Sequence, residues 1–279
     1  SVLMGKNINL QHARELAYKG KTVEANAEIL RITKQLDFSK MDPMQMESFA
    51  KATGKSVGEL QDMIEKLLEL IAPDECLVCG AEGLCVCGKC AQANLISKKP
   101  ACPLCNAINQ NGATCRRCRS KTRLAGATIA FRYEGIAKQL VAQMKYESKR
   151  SVARYFGGIL TSDVTLNNFV VSYVPSDGPT RRRRGFDQAK LIAKAYAKKN
   201  HHQFRTLLLR SRHLQQVGMS RKQRLLNVEG NLVIKNPLHG QDILLIDDLI
   251  TTGATASECA KVLKSAGARR VWLLAIARG

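Results

Sequence analysis

From residue 127 onward, short unbroken apolar runs alternate with segments whose apolar positions recur every three or four residues. Unbroken runs are the mark of strands buried on both faces, and the longer period marks amphipathic helices. The pattern predicts strands at 128–133, 168–174, 232–234, 243–246 and 270–277, and helices at 134–144, 152–160, 188–200 and 256–266. Strands alternating with helices predict an α/β fold built on an open, mostly parallel sheet. Before residue 63 the pattern is helical throughout. Leu10, Ala13, Leu16 and Ala17 share one face, Asp42-Pro43 is a helix start, and Ser56 with Glu59 forms a capping box that opens a helix to about residue 71. Residues 1–62 offer no chemistry and are expected to be a separate helical module or a fusion. Met63 would be an initiator for the remainder. Residues 63–124 form a Cys-rich region and 125–279 the α/β domain.

One junction in this pattern carries candidate chemistry. Ile243-Leu244-Leu245-Ile246 runs straight into Asp247-Asp248, and Leu249-Ile250-Thr251-Thr252-Gly253-Ala254-Thr255 leads into the next helix. A glycine-containing loop that opens a helix suits phosphate, because the first helical N–H groups have no internal partner. Carboxylates at the carboxyl end of a strand lie where open α/β sheets bind ligands. The implied ligand is a sugar phosphate: Asp247 and Asp248 for ribose hydroxyls or Mg²⁺, and Thr251, Thr252, Gly253, Ala254 and Thr255 for phosphate. A P-loop is excluded here because no Lys follows the glycine. Gly54-Lys55-Ser56 lacks both the earlier glycine and a preceding strand.

Cysteine is concentrated elsewhere. Nine of ten cysteines fall between Cys76 and Cys118, and eight form C-x-x-C knuckles at Cys76/Cys79, Cys87/Cys90, Cys102/Cys105 and Cys115/Cys118. Two knuckles complete a tetrahedral Zn²⁺ shell, so two structural zinc ions are expected. Sequential pairing groups the first two knuckles and the last two; a crossed pairing, first with third and second with fourth, is the alternative. Cys85 is spare, with a ligand exchange with Cys87 conceivable, and Cys259 reads as a buried small hydrophobe.

Charge separates the two parts of the chain. Residues 1–62 hold 9 basic and 8 acidic residues, whereas 63–279 hold 35 and 15. A field of that sign attracts nucleic acid or another polyanion. Arg116, Arg117 and Arg119 in the last knuckle, and Arg181, Arg182, Arg183 and Arg184 in a run, are the candidate phosphate contacts. The arginine run reads equally as a mobile solvated loop. No apolar run is long enough to span a bilayer and no secretory leader is visible, so a cytoplasmic setting is expected.

The Asp-Asp-Thr loop resembles the ribose-5-phosphate motif of type I phosphoribosyltransferases. Together with the cysteine ladder it resembles the ComF family of competence proteins. Pro73-Asp74-Glu75-Cys76-Leu77-Val78-Cys79-Gly80 is similar to that family's opening, and Arg184-Gly185-Phe186-Asp187-Gln188 to its R-G-F-N-Q segment, with Asp187 where Asn is usual. Gln216-Val217-Gly218-Met219-Ser220, Arg221, Arg224 and Asn227 resemble a further stretch. The resemblance implies a role in natural transformation, handling single-stranded DNA, and a pocket for phosphoribosyl pyrophosphate (PRPP) with Mg²⁺. It implies that Pro175 and Ser176 meet pyrophosphate, with Arg184 a candidate for its charge and Arg181 to Arg183 competing for that role. An active phosphoribosyltransferase is the second reading, and an adaptor that docks helicase or recombination proteins through its zinc module is the third.

Overall fold

The computed structural model describes residues 74–147, 149–161, 169–184, 186–210, 232–234 and 237–279. The helices expected within 1–62 and the stretch from Gln216 to Asn227 lie outside the described residues. The chain divides into two compact units, Ser1–Asp74 and Glu75–Gly279, and the architecture belongs to the second. In chain order its elements are α1 (Gly88–Asn94), β1 (Gly126–Arg132), α2 (Gly135–Tyr146), α3 (Arg150–Ile159), β2 (Phe169–Tyr173), α4 (Gly178–Arg184), α5 (Gln188–Lys199), β3 (Gln203–Phe204), β4 (Leu208–Arg210), β5 (Leu232–Ile234), β6 (Asp242–Ile250), α6 (Ala254–Ser265) and β7 (Arg270–Arg278).

Five strands form one sheet in the order β1-β7-β6-β2-β3, and every neighbouring pair is parallel. The strand β5 expected at 232–234 is present, but it pairs antiparallel with β4 in a separate two-stranded sheet. The alternation of side chains along β6 divides the core between two faces. Leu244 and Ile246 pack with Val171, Tyr173, Leu274 and with α2, α3 and α5. Ile243 and Leu245 pack on the opposite face with Val170, Val271, Leu273 and the α6 residues Cys259, Val262 and Leu263. A sheet covered on both faces is what the unbroken apolar runs require. Gly157 permits the close crossing of α3 on α5, since a Cβ there would lie 2.6 Å from the Ile192 carbonyl oxygen.

β6 enters the sheet on a buried charge. Asp242 accepts hydrogen bonds from Arg269 (2.9 and 2.7 Å) and Arg270 (3.1 and 2.6 Å). Burial alone would raise its pKa; the two guanidinium groups outweigh burial and hold it at about 2. The Cys-rich region is built into the same unit. Cys76, Cys85 and Val86 join the core beside Tyr155 and Phe156, Ser97 bridges to Phe131, and Ala113 bridges to Gly126. Among the described residues, no helix is long and apolar enough to cross a membrane.

Two elements differ from the sequence pattern in ways that matter to the site. The strand around Asp247-Asp248 does not stop at the acids but continues to Ile250, because β7 stays paired with it as far as Ile250 opposite Arg278. The arginine run, expected as loop or solvated segment, lies in the short helix α4, started by the Asp177 carboxylate accepting the Thr180 N–H at 2.7 Å.

Candidate functional site

The connections of the sheet place a crevice at one position. β2 leads to β3 on one side of the sheet, while β6 leads through α6 to β7 on the other. Adjacent parallel strands whose connections leave in opposite directions open a gap at their carboxyl ends, and ligands of open α/β sheets bind there. β2 ends at Tyr173, paired with Ile246, and the Val174 N–H then donates to the Ile246 carbonyl at 2.9 Å. β6 outruns β2 from that point. Asp247 and Asp248 are the first residues past the shared ladder, where β2 no longer pairs with β6.

The two acids differ in environment. Asp248 lies 3.3 Å from the Lys145 ammonium of α2, with only 15% and 17% of the two side chains exposed. Asp247 has its pKa raised well above the carboxylate range, first by burial and then by the Asp248 charge; the Asp248 N–H, which donates to it at 2.9 Å, and Lys145 only partly offset this. A cation or a set of hydroxyl donors arriving in the crevice would relieve that strain. The Thr loop forms the adjoining wall. Thr251, Thr252, Ala254 and Thr255 are exposed, while Gly253 is buried with φ of 79°. That left-handed turn, followed by Ala254 N–H bonding to the Thr252 hydroxyl at 3.3 Å, turns the chain into α6.

The opposite wall is the loop after β2. The Ser176 N–H donates to Asp187 Oδ2 at 3.0 Å, and the Pro175 carbonyl accepts from Arg210 Nε at 2.9 Å. Asp187 Oδ1 accepts the Lys190 N–H at 3.2 Å and so caps α5. The residue that departs from the family's usual Asn therefore uses both oxygens as acceptors from backbone N–H groups. Burial raises the Asp187 pKa, its two N–H donors lower it, and the Asp248 charge raises it further. Arg184 donates from Nη1 to Gln188 Oε1 at 3.1 Å, and its buried Nε has no hydrogen-bond partner among the described residues. Arg181, Arg182 and Arg183 precede it on α4. Lys145 and Arg210 are the residues that motif reading missed, and neither carried a sequence signal; Asp187 was in the motif, and its place before a helical segment was the signal for its cap.

The cysteines assemble sequentially. The sulfur atoms of Cys76, Cys79, Cys87 and Cys90 lie within 4.8 Å of one another, and so do those of Cys102, Cys105, Cys115 and Cys118. The two first knuckles repeat each other's turn. Gly80 N–H bonds the Cys76 carbonyl at 2.8 Å, and Asn106 N–H bonds the Cys102 carbonyl at 3.0 Å, with both residues left-handed (φ 71° and 58°). Backbone N–H groups, led by that of Cys87, lower the Cys76 pKa to about 6. At Cys102 burial opposes the same effect, yet N–H groups of Cys105 and Cys115 still bring it to about 6. Each quartet is a soft, four-sulfur donor set that fits one Zn²⁺ with no position left open. Cys85 stands apart, its sulfur 3.7 Å from the Ser151 hydroxyl, and Cys259 is buried. Arg116 and Arg117 are exposed on a turn of the second quartet, and Arg119 Nε bonds the Thr114 carbonyl at 3.3 Å.

No family model matches the chain. Competence protein ComFC of Bacillus subtilis is 27% identical over 218 residues, spanning 74% of this chain and 85% of that protein. DNA utilization protein YhgH of Escherichia coli K12 is 27% identical over 234 residues, spanning 74% and 98%. A chloroplastic amidophosphoribosyltransferase of Vigna aconitifolia is 31% identical over 129 residues, 45% of this chain and 24% of its own. Among solved structures, the B. subtilis glutamine PRPP amidotransferase aligns over 48% of this chain and 30% of its own, at 20% identity and a TM-score of 0.35. The matches to the competence and DNA utilization proteins cover 85% and 98% of those relatives and support the likeness of this chain to the ComF family.

Proposed function

We propose that this protein handles single-stranded DNA and holds PRPP with Mg²⁺ in the crevice between β2 and β6. The observation that carries the ligand assignment is the position of Asp247 and Asp248, where β6 outruns β2 beside the Thr251–Thr255 loop. Asp247 and Asp248 hold the ribose hydroxyls and Mg²⁺, the Thr loop takes the 5′-phosphate, and Pro175, Ser176 and Arg184 receive pyrophosphate. Mg²⁺, when bound, would neutralise pyrophosphate charge. Lys145 holds the Asp248 carboxylate in a largely buried ion pair at 3.3 Å. The names of ComFC and YhgH, competence and DNA utilization, support the DNA role. The excess of basic residues after residue 62 supports a phosphate-backbone contact through Arg181–Arg184 and through Arg116, Arg117 and Arg119. Zinc is structural in both quartets, and helicase or recombination proteins are the partners such a module would dock.

Transferase activity is the second reading, favoured by one feature. Departure of pyrophosphate builds positive charge on the sugar, and the paired carboxylates stand where they would stabilise it. Pyrophosphate release from PRPP, measured across a panel of bases and amines, separates the readings. Turnover with any acceptor makes the protein an enzyme. Tight PRPP binding without release makes it a binding protein rather than an enzyme. Absence of PRPP binding removes the crevice assignment altogether.

A further inference from the structure

Arg278, the last residue of β7, ties the second cysteine quartet to the Thr loop. Its Nη2 donates to the Pro103 carbonyl at 2.5 Å, the Leu104 carbonyl at 3.5 Å and the Thr251 carbonyl at 3.3 Å. Its Nη1 donates to the Cys102 carbonyl and to Asn106 Oδ1, both at 3.4 Å. Three successive carbonyls of the Cys102–Cys105 knuckle thus converge on one guanidinium, and the same group fixes the first residue of the phosphate loop. A second link lies beside it. Gly253, the left-handed turn of that loop, is so close to the knuckle that a Cβ there would stand 3.3 Å from the Pro103 carbonyl oxygen. A third runs from Thr122, shortly after the quartet's last cysteine, whose hydroxyl bonds Ser257 in the first turns of α6 at 2.9 Å.

The chemistry suits coupling better than simple surface pairing. The Cys102 carbonyl already accepts the Asn106 N–H, whereas the Pro103 and Leu104 carbonyls take a donor from outside the knuckle, Arg278. The Arg fork can satisfy several carbonyls at once, which a Lys point charge cannot do in the same geometry. A filled quartet of four thiolates around Zn²⁺ carries net negative charge and adds to the attraction. When the quartet opens, the three carbonyls disperse and the loop loses its brace.

We propose that Arg278 is a positioning residue that makes the ligand-competent shape of the Thr251–Gly253 loop depend on an intact second cysteine quartet. The ligand arm of the test rests on the phosphoribosyl reading; the dynamic arm does not. Full-length Arg278→Ala and Arg278→Lys are compared with wild type by hydrogen exchange at residues 251–256 and by metal content. Calorimetric titrations with ribose 5-phosphate plus Mg²⁺ and with inorganic pyrophosphate accompany them. The Ala variant is expected to retain both metals, to exchange at least tenfold faster across the loop, and to bind ribose 5-phosphate at least tenfold more weakly. Its pyrophosphate affinity, set by the loop after β2, should stay within twofold. Lys should fall between. A Cys105→Ser variant should reproduce the faster loop exchange with one metal fewer. Unchanged loop exchange overturns the coupling. So does equal loss of both ligands, or loss of the second metal in the Ala variant, since Arg278 would then serve only assembly. If wild type binds neither ligand, the phosphoribosyl reading falls and the exchange data alone decide the coupling.

Discussion

Replacing Asp187 by Ala removes two hydrogen bonds at once, and the structure sets the size of the effect. Loss of the cap on α5, the bond from Lys190 N–H, costs about 1 kcal/mol. The Ser176 N–H, half-buried, is left without its acceptor at a further cost of about 1 kcal/mol, the low end for a stranded donor. Opposing both, the variant no longer has to bury a carboxylate whose pKa burial has raised. The net loss should be about 1–2 kcal/mol, a fall in Tm of roughly 3–6 °C for a unit of this size. Asp187→Asn keeps one acceptor oxygen but turns its NH₂ toward the other donor, so it should lose less than Ala. The pH dependence has a definite sign. A carboxylate with raised folded pKa binds more protons in the folded state, so wild type gains stability relative to the Asn variant as pH falls from 7 into the carboxylate range. Urea unfolding of the zinc-loaded protein measures all three differences. An Ala variant as stable as wild type, or an Asn variant as damaged as Ala, would refute the two-acceptor account.

Metal analysis should find two Zn²⁺ per chain, and Cys118→Ser should lose one of them; a single ion in wild type would contradict the two quartets. Single-stranded DNA affinity should fall steeply with salt, and replacing Arg181–Arg184 by Ala should flatten that slope by about 0.7 for each DNA phosphate no longer neutralised. An unchanged slope would put the DNA elsewhere. Because a proton competes for Asp247, PRPP/Mg²⁺ binding should release protons and tighten as pH rises through that residue's raised pKa. Affinity flat with pH above the ordinary carboxylate range would contradict it.

Four of the five strands of the parallel sheet, β1, β2, β6 and β7, were legible because they are largely buried and write apolar runs. Val170 to Tyr173 and Ile243 to Ile246 are examples with almost no exposure. β3 and β4 were not legible, since strands of two and three residues are too short for a period of two to declare itself. The helix α4 was hidden for another reason: four successive arginines have no apolar face to show. At the site, the acids and the Thr loop were visible because they are contiguous in the chain. Lys145 and Arg278 were not, because each reaches its partner across the fold, Lys145 to Asp248 and Arg278 to Thr251. Sequential rather than crossed pairing of the knuckles also needed the structure, since spacing alone permits both. It followed from the sulfur positions, the four of each quartet lying within 4.8 Å of one another.

Calorimetric titration of PRPP with Mg²⁺ into wild type and into the Asp247→Asn/Asp248→Asn double variant tests the crevice assignment most directly. The account predicts one PRPP site per chain in wild type, at least a hundredfold weaker in the variant, with zinc content and single-stranded DNA affinity unchanged. PRPP affinity equal in the two proteins would contradict it.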